Sequence, residues 1–151
     1  MGVGLALAAK RKNMKHRIYV LLGNGECNEG SVWEAIMSAA HFKLDNLTAI
    51  VDNNGFQSDG KSEAIMGCGK FADKWGSFGW NVCEVGGHNI SELYNAFAER
   101  DVEDKPKAVI AHTIKGKGVS FMENTNEWHH NRLTKAYYDQ ALQEMGEILE
   151  C

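Results

Sequence analysis

The chain reads as an α/β domain in which a parallel sheet is flanked by helices, and three observations predict it. Short apolar runs at residues 17–22 (RIYVLL), 47–51 (LTAIV), 81–85 (NVCEV) and 107–113 (KAVIAHT) alternate with stretches whose apolar residues recur at helical spacing. A Gly-Asn-Gly turn closes the first run and leads into a helix, so run, helix and second run form a βαβ unit, for which a right-handed crossover is expected. Each predicted strand ends in Gly, Asn or His. In a parallel sheet those ends meet on one edge, where open α/β sheets bind ligands.

Taken in order, residues 1–12 (MGVGLALAAKRK) begin apolar, with no N-cap and no polar lead-in, and read as the second half of a buried helix. After the first strand and its turn, Ser31 and Glu34 have the spacing of a capping box. Trp33, Ile36, Met37, Ala40 and Leu44 mark the buried side of the helix that follows. Residues 55–60 (GFQSDG) read as a polar loop. Residues 70–78 (KFADKWGSF) predict a short amphipathic helix packing Phe71, Trp75 and Phe78. The third strand ends in Gly86-Gly87-His88, and a helix over 90–101 presents Leu93, Tyr94 and Phe97 on one side. The fourth strand runs into Ile114-Lys115-Gly116-Lys117-Gly118. Residues 133–149 repeat apolar side chains at Tyr137, Ala141, Met145 and Ile148, as expected of a helix lying across the domain or a partner.

Composition sets bounds. With 151 residues, 44% of them hydrophobic, the chain suits one globular domain spanning 1–151, with a proper core. A single proline, Pro106, leaves no Pro-rich linker. The net charge of −4 and pI near 5.8 argue against a general nucleic-acid or anionic-membrane surface. No apolar run approaches the ~20 residues that span a bilayer, and the N-terminus lacks a signal-peptide cleavage pattern. Cys27, Cys68, Cys83 and Cys151 are widely and irregularly spaced, as expected of free thiols in a reducing cytoplasm.

The chemistry concentrates between Gly23 and Asn54. Glycines on both sides of Asn24 allow a close backbone approach to an anion, and Asn54 offers a second side-chain oxygen at the next strand end. Backbone amides with oxygen donors suit a diphosphate held through Mg²⁺. Gly23-Asn24-Gly25 followed by Asn53-Asn54 resembles the G-D-G … N-N signature of thiamine-diphosphate enzymes. The longer text GECNEGSVWEAIMSAAHFKLDNLTAIVDNNGFQSDG resembles transketolases closely. KGKGVSFMENTNEWH extends the resemblance, which covers essentially the whole chain. The family's metal-binding Asp is Asn24 here, and the family's Gly after the Trp-His pair is His130.

The resemblance implies roles for particular residues. Asn24, Asn54 and the backbone carbonyl of Phe56 correspond to metal ligands, and Gly25 to a position that approaches the diphosphate. Ile114 lies in a segment beside the cofactor. Glu29 matches a glutamate at the subunit interface that links the two active sites. His129 matches a histidine near the diphosphate and the substrate hydroxyls, where a neutral imidazole donates a hydrogen bond or relays protons. The residues themselves leave plainer readings open. Asparagines stabilise turns, Glu29 suits a helix start, and loop lysines such as Lys115 and Lys117 are solvated. Glu26 and Glu29 are expected to point away from a diphosphate or to pair. His41 and His112 read as packing residues and His88 as a turn residue.

Family resemblance therefore implies a thiamine-diphosphate-binding fold, partial relative to the family. It implies a transketolase-type subunit that moves a two-carbon ketol unit between sugar phosphates, with thiamine diphosphate and Mg²⁺ as cofactors. The expected partner is a pyrimidine-binding transketolase domain or subunit, which carries the glutamate that activates the aminopyrimidine, and the expected assembly is an oligomer in the cytoplasm. In the family a glycine-rich loop precedes the segment resembling 1–12. The sequence is thus expected to be either a fragment or a reduced form whose missing layer another chain supplies. The alternatives are a non-catalytic transketolase-like binding or assembly subunit, and another thiamine-diphosphate enzyme such as a 1-deoxyxylulose-phosphate synthase; the KGKG and Trp-His text fits transketolase better.

Overall fold

A computed structural model describes residues 1–99 and 102–149, with side chains through residue 146. Its four main strands are β1 (Ile18–Gly23), β2 (Leu47–Asn53), β5 (Asn81–Gly86) and β6 (Lys107–His112), and the sheet order is β1-β2-β6-β5 with every pairing parallel. The central strands are those with unbroken apolar text. All of Lys107–Ala111 is buried, as are Leu47, Thr48, Ala49 and Val51. The edge strands alternate instead, with Tyr19, Leu21 and Glu84 turned to solvent.

One face of the sheet carries helices α1 (Gly2–Arg11), α2 (Gly30–His41) and α4 (Phe71–Ser77). Ala6, Ile36, Leu44, Trp75 and Trp80 form the core there with the inward residues of β2 and β6. Burying a side chain the size of Ile36 stabilises such a core by about 2 kcal/mol. The two tryptophans meet edge to face with ring centroids 4.7 Å apart, and Trp80 Nε1 donates to the Ile36 carbonyl at 3.0 Å, satisfying its buried polar end. On the opposite face α5 (Ile90–Ala98) packs Ala96, Leu93 and Phe97 against Val85, Val109 and Ala111. Lys107, buried, reaches the end of that helix: its ammonium donates to the Ala96 carbonyl at 2.5 Å and lies 3.4 Å from Glu99 Oε2. The charge thus caps carbonyls that α5 leaves unpaired.

Several expectations are corrected. Ser31 and Glu34 make no capping box. A single 3₁₀ turn at Glu26–Asn28 brings the extended residue Glu29 to the N-cap, so Ser31 is already the second helical residue and its hydroxyl reaches Glu29 Oε2 at 3.4 Å instead. The buried side of α2 is Val32, Ile36 and Ala39, with Trp33 and Ala40 flanking it, while Met37 is exposed. Tyr94 points to solvent rather than joining Leu93 and Phe97. Residues 55–60 hold more than a loop: β3 (Phe56–Gln57) and β4 (Gly60–Lys61) pair antiparallel as a miniature hairpin, followed by α3 (Ser62–Met66). Neither histidine expected to pack is buried. His41 lies against Phe42 on the surface, and His112 is bonded to Glu84 across the sheet edge.

The last helix, α6 (Lys135–Leu149), buries Ala141 and leaves Tyr137, Leu142 and Met145 substantially exposed. Asp101, the expected end of the fifth helix, and Cys151 lie outside the described residues, as does the side chain of Ile148. Cys27, Cys68 and Cys83 are free thiols. Burial first, then the neighbouring Cys68 and Glu26, push Cys27 up to about 12, which makes it a packing residue and not a nucleophile.

Candidate functional site

Parallel pairing sets the C-terminal ends of all four strands side by side, with Gly23 opposite Asp52, Asn53 opposite His112 and Gly86 opposite His112. The Gly, Asn and His residues that close the strands are therefore all on one edge. Two clefts open there. One of about 780 Å³ is lined by Asn24, Asn53, Phe56, Ser62, Lys61 and Lys70. Another of about 710 Å³ lies beyond β5 and β6, against His88, Asn89, His112 and Ile114.

Asn24 is only 3% exposed, so its amide must find partners inside the protein. The surroundings fix its orientation. With Nδ2 toward the Asp52 carbonyl (3.2 Å), Asn54 Oδ1 (3.1 Å) and the Phe56 carbonyl (3.1 Å), its two hydrogens face three acceptors, of which the Asp52 carbonyl also takes the Asn24 backbone N–H at 3.1 Å, and Oδ1 accepts from the Ser62 hydroxyl at 2.5 Å. The opposite orientation would face oxygen with oxygen three times over. Asn54 is held in turn: its Oδ1 accepts from the Phe56 amide at 2.9 Å and its Nδ2 donates to Asp52 Oδ2 at 3.2 Å. Thr113 Oγ1 donates to the other Asp52 oxygen. Asn54 is thus both a turn residue and a member of the cluster. Gly25, in ordinary right-handed backbone (φ −68°), is needed for space, since a Cβ there would come within 2.9 Å of Gln57 Cγ in β3.

Asn24, Asn54 and the Phe56 carbonyl are therefore brought together as expected, but as a hydrogen-bonded knot. The set has no carboxylate, and a donor N–H points at the place where its oxygens converge. Among the described residues no three His, Cys, Asp or Glu side chains gather as a metal cage elsewhere. Mg²⁺ favours near-octahedral oxygen ligation with one or two carboxylates. As they stand, these residues do not fit a resident divalent cation.

The remaining site residues lie on the adjoining loops. The Ile114 amide donates to His88 Nε2 at 2.7 Å, which makes His88 the turn residue expected. Lys115 Nζ donates to His129 Nδ1 at 3.1 Å, leaving the proton of a neutral His129 on Nε2. Partial desolvation, then the charges of Lys115 and His130, hold His129 below the ordinary imidazole range, against a smaller opposing pull from Asp59. His129 ends a short 3₁₀ turn anchored by its neighbour: Trp128, Phe121 and Tyr137 of α6 stack with centroids 4.8–5.0 Å apart. Ser120 clamps the same loop to α6 through Glu144 at 2.6 and 2.7 Å. Asn126 Nδ2 ties it to the hairpin through the Ser58 carbonyl at 3.0 Å.

Lys117 pairs with Glu123 at 3.2 Å and so is not simply solvated. Glu26 turns back to accept from the Gly23 amide at 3.2 Å, the pairing expected of a carboxylate at this turn. Glu29 is exposed and lines a separate apolar cavity with Met1, Val3 and Trp80, away from the asparagine cluster. Sequence reasoning missed Ser62, Asp52 and Thr113, which orient the two asparagines. Asp52 was legible as the neighbour of the Asn pair, whereas nothing in the text around Ser62 marks it.

Residues 7–147 match the family described as "Transketolase, thiamine diphosphate binding domain". The chain is 42% identical over 151 residues to one subunit of the apulose-4-phosphate transketolase of Phocaeicola vulgatus, covering 99% of this chain and 54% of that protein. It is 38% identical over 144 residues to a 6-deoxy-6-sulfo-D-fructose transketolase subunit of a Clostridium species, covering 95% and 52%. In three dimensions it is similar to transketolase from Campylobacter jejuni, with a TM-score of 0.89 at 28% identity over 96% of this chain and 24% of that one. The Pichia stipitis transketolase complex with sedoheptulose-7-phosphate superposes with a TM-score of 0.86 at 29% identity, over 96% and 23%. The chain spans about half the length of the subunit-type relatives it matches.

Proposed function

This chain belongs to the transketolase thiamine-diphosphate-binding domain family, and from that premise we propose that it is the diphosphate-gripping part of a transketolase assembled from more than one chain or segment. The observation that carries the reading is the convergence of Asn54 Oδ1 and the Phe56 carbonyl on Asn24 Nδ2, 3.1 Å from each, at the C-terminal edge of the sheet, beside the Ile114 turn. When bound, thiamine diphosphate supplies the carbanion that carries a two-carbon ketol unit. This chain's contribution is positional: Gly25 and Ile114 flank the diphosphate, the bonds among Asn24, Asn54 and the Phe56 carbonyl hold the turn beside it in shape, and the Nε2–H of neutral His129 donates toward diphosphate or substrate hydroxyls.

With no carboxylate among Asn24, Asn54 and the Phe56 carbonyl, Mg²⁺ enters only as the companion of the diphosphate, which provides the negative charge. The partner is a pyrimidine-binding transketolase domain or subunit, in keeping with relatives named as subunits. Glu29 on the open surface is the candidate contact to it. The substrates are ketoses carrying an anionic terminus, as the names of those relatives describe, and the assembly is an oligomer working in the cytoplasm. A non-catalytic binding subunit is the second reading, favoured by the uncharged Asn24.

Assay of the purified chain with thiamine diphosphate, Mg²⁺ and ketose phosphates is expected to show no ketol transfer, and turnover is expected to begin when the pyrimidine-binding partner is added. Robust turnover by the chain alone would overturn the proposal. Cofactor binding without turnover in the complete assembly would favour the non-catalytic reading.

A further inference from the structure

We propose that the Asn24 amide stands in for a cation: its N–H groups hold Asp52, Asn54 and Phe56 together, so the site closes on itself and has no affinity for a free divalent ion. The inference takes from the proposed function only the position of the site.

Three acceptors surround Asn24 Nδ2 at 3.1–3.2 Å: the Asp52 carbonyl, Asn54 Oδ1 and the Phe56 carbonyl. Buried oxygens gathered this closely repel one another unless something positive lies between them. A metal ion can do this, and so can a polarised N–H pair. Here the N–H pair does it: the three acceptors set the orientation, and the Ser62 hydroxyl, which can donate or accept, completes it by donating to Asn24 Oδ1 at 2.5 Å. The backbone takes part as well, because the Asn24 amide also donates to the Asp52 carbonyl at 3.1 Å. Asn54 Oδ1 is further engaged by the Phe56 amide. A cation arriving alone would have to displace the amide nitrogen, reverse the side chain so that Ser62 becomes its acceptor, and shed its hydration for neutral oxygens. The nearest carboxylate, that of Asp52, is bonded to Asn54 Nδ2 and the Thr113 hydroxyl and is not one of the three oxygens around Asn24 Nδ2, so the ion gains no carboxylate ligand to offset that loss of hydration.

An aspartate at position 24 would have the opposite property. It would set a carboxylate oxygen against the same three acceptors in a nearly water-free place, and only a bound cation would reconcile them. Asn24 therefore frees this loop from dependence on metal. A divalent ion can be recruited only together with an anion that brings its own charge.

The test uses neither cofactor nor turnover, so its failure and failure of the proposed function are distinguishable. Thermal unfolding of the chain is expected to give the same midpoint in a chelator and in millimolar Mg²⁺ or Mn²⁺. Asn24→Asp is expected to lower the midpoint in chelator by about 5–10 °C and to regain it with either cation. Electron paramagnetic resonance titration with Mn²⁺ should detect stoichiometric binding to Asn24→Asp and none to the wild type. Saturable Mn²⁺ or Mg²⁺ binding by the wild type without diphosphate would overturn the inference, as would an Asn24→Asp variant that is indifferent to cations. If that variant does not fold in either condition, the wild-type Mn²⁺ titration decides alone.

Discussion

Replacing His129 with alanine is expected to lower ketol-transfer turnover of the assembled enzyme by about a hundredfold or more, whereas His130→Ala should change it little. The two rings are neighbours, 4.5 Å apart and perpendicular, but only His129 is oriented: Lys115 Nζ occupies its Nδ1 at 3.1 Å, so its donor is Nε2–H. Partial desolvation and the Lys115 charge lower its proton affinity. The sign follows directly. A histidine depressed in the folded state stays neutral to a lower pH than a free imidazole, so the acid limb it imposes on the rate lies below the ordinary imidazole range. Stability linked to this group is present above the ordinary value and is lost as pH falls through the depressed one. Lys115→Gln should move the acid limb upward, and pH–rate profiles of the two proteins measure it. Equal and negligible effects of His129→Ala and His130→Ala would return both to an ordinary surface loop.

Gly116→Ala is expected to detach the segment that carries His129 while leaving the sheet intact. Gly116 has φ +74°, a left-handed conformation, and a Cβ there would lie 2.4 Å from the Met122 carbonyl oxygen and 2.6 Å from its carbon. These are backbone atoms and cannot swing aside as a side chain could. Around them the Lys115 carbonyl accepts from the Asn124 amide at 3.0 Å, and Glu123 Oε1 accepts from the Gly118 amide at 3.1 Å. Conformational strain and the clash together oppose loop docking by roughly 3 kcal/mol. Gly118 is the control. It also has positive φ, +98°, but a Cβ there meets nothing within 4 Å, so Gly118→Ala bears the strain alone, about 1–2 kcal/mol. Limited proteolysis should cut Gly116→Ala rapidly between residues 115 and 131, with unchanged far-ultraviolet circular dichroism. Similar protection in the two variants would contradict this account of the loop.

The sheet was legible because its strands are short apolar runs between glycine-rich turns, and the central pair, β2 and β6, has the densest apolar text. Helix faces were less legible. In α2 the expected stripe included Met37, but the helix starts after an unforeseen 3₁₀ turn and is rotated so that Val32 and Ala39 face the sheet. Lys107 reads as a polar strand start, yet it is buried because the open end of α5, a feature of tertiary packing, lies within its reach. The same limit applies to the site. The motif placed Asn24, Asn54 and Phe56 near one another, since spacing and strand topology suffice for that. Which end of the Asn24 amide faces the oxygens depends on the Asp52, Asn54 and Phe56 acceptors that the folded turn gathers around it, and no local pattern encodes it. Likewise His129 was marked by the Trp-His text, while its protonation state depends on Lys115.

The central claim, that the C-terminal edge of this sheet grips the diphosphate of thiamine diphosphate, is tested most directly by amide chemical-shift mapping of the isotope-labelled chain. Thiamine diphosphate with Mg²⁺ is expected to shift Asn24, Gly25, Asn54, Phe56, Ile114 and His129, and thiamine without its diphosphate is expected to leave them in place. Shifts of equal size with both compounds, or a perturbed patch elsewhere on the surface, would contradict the claim.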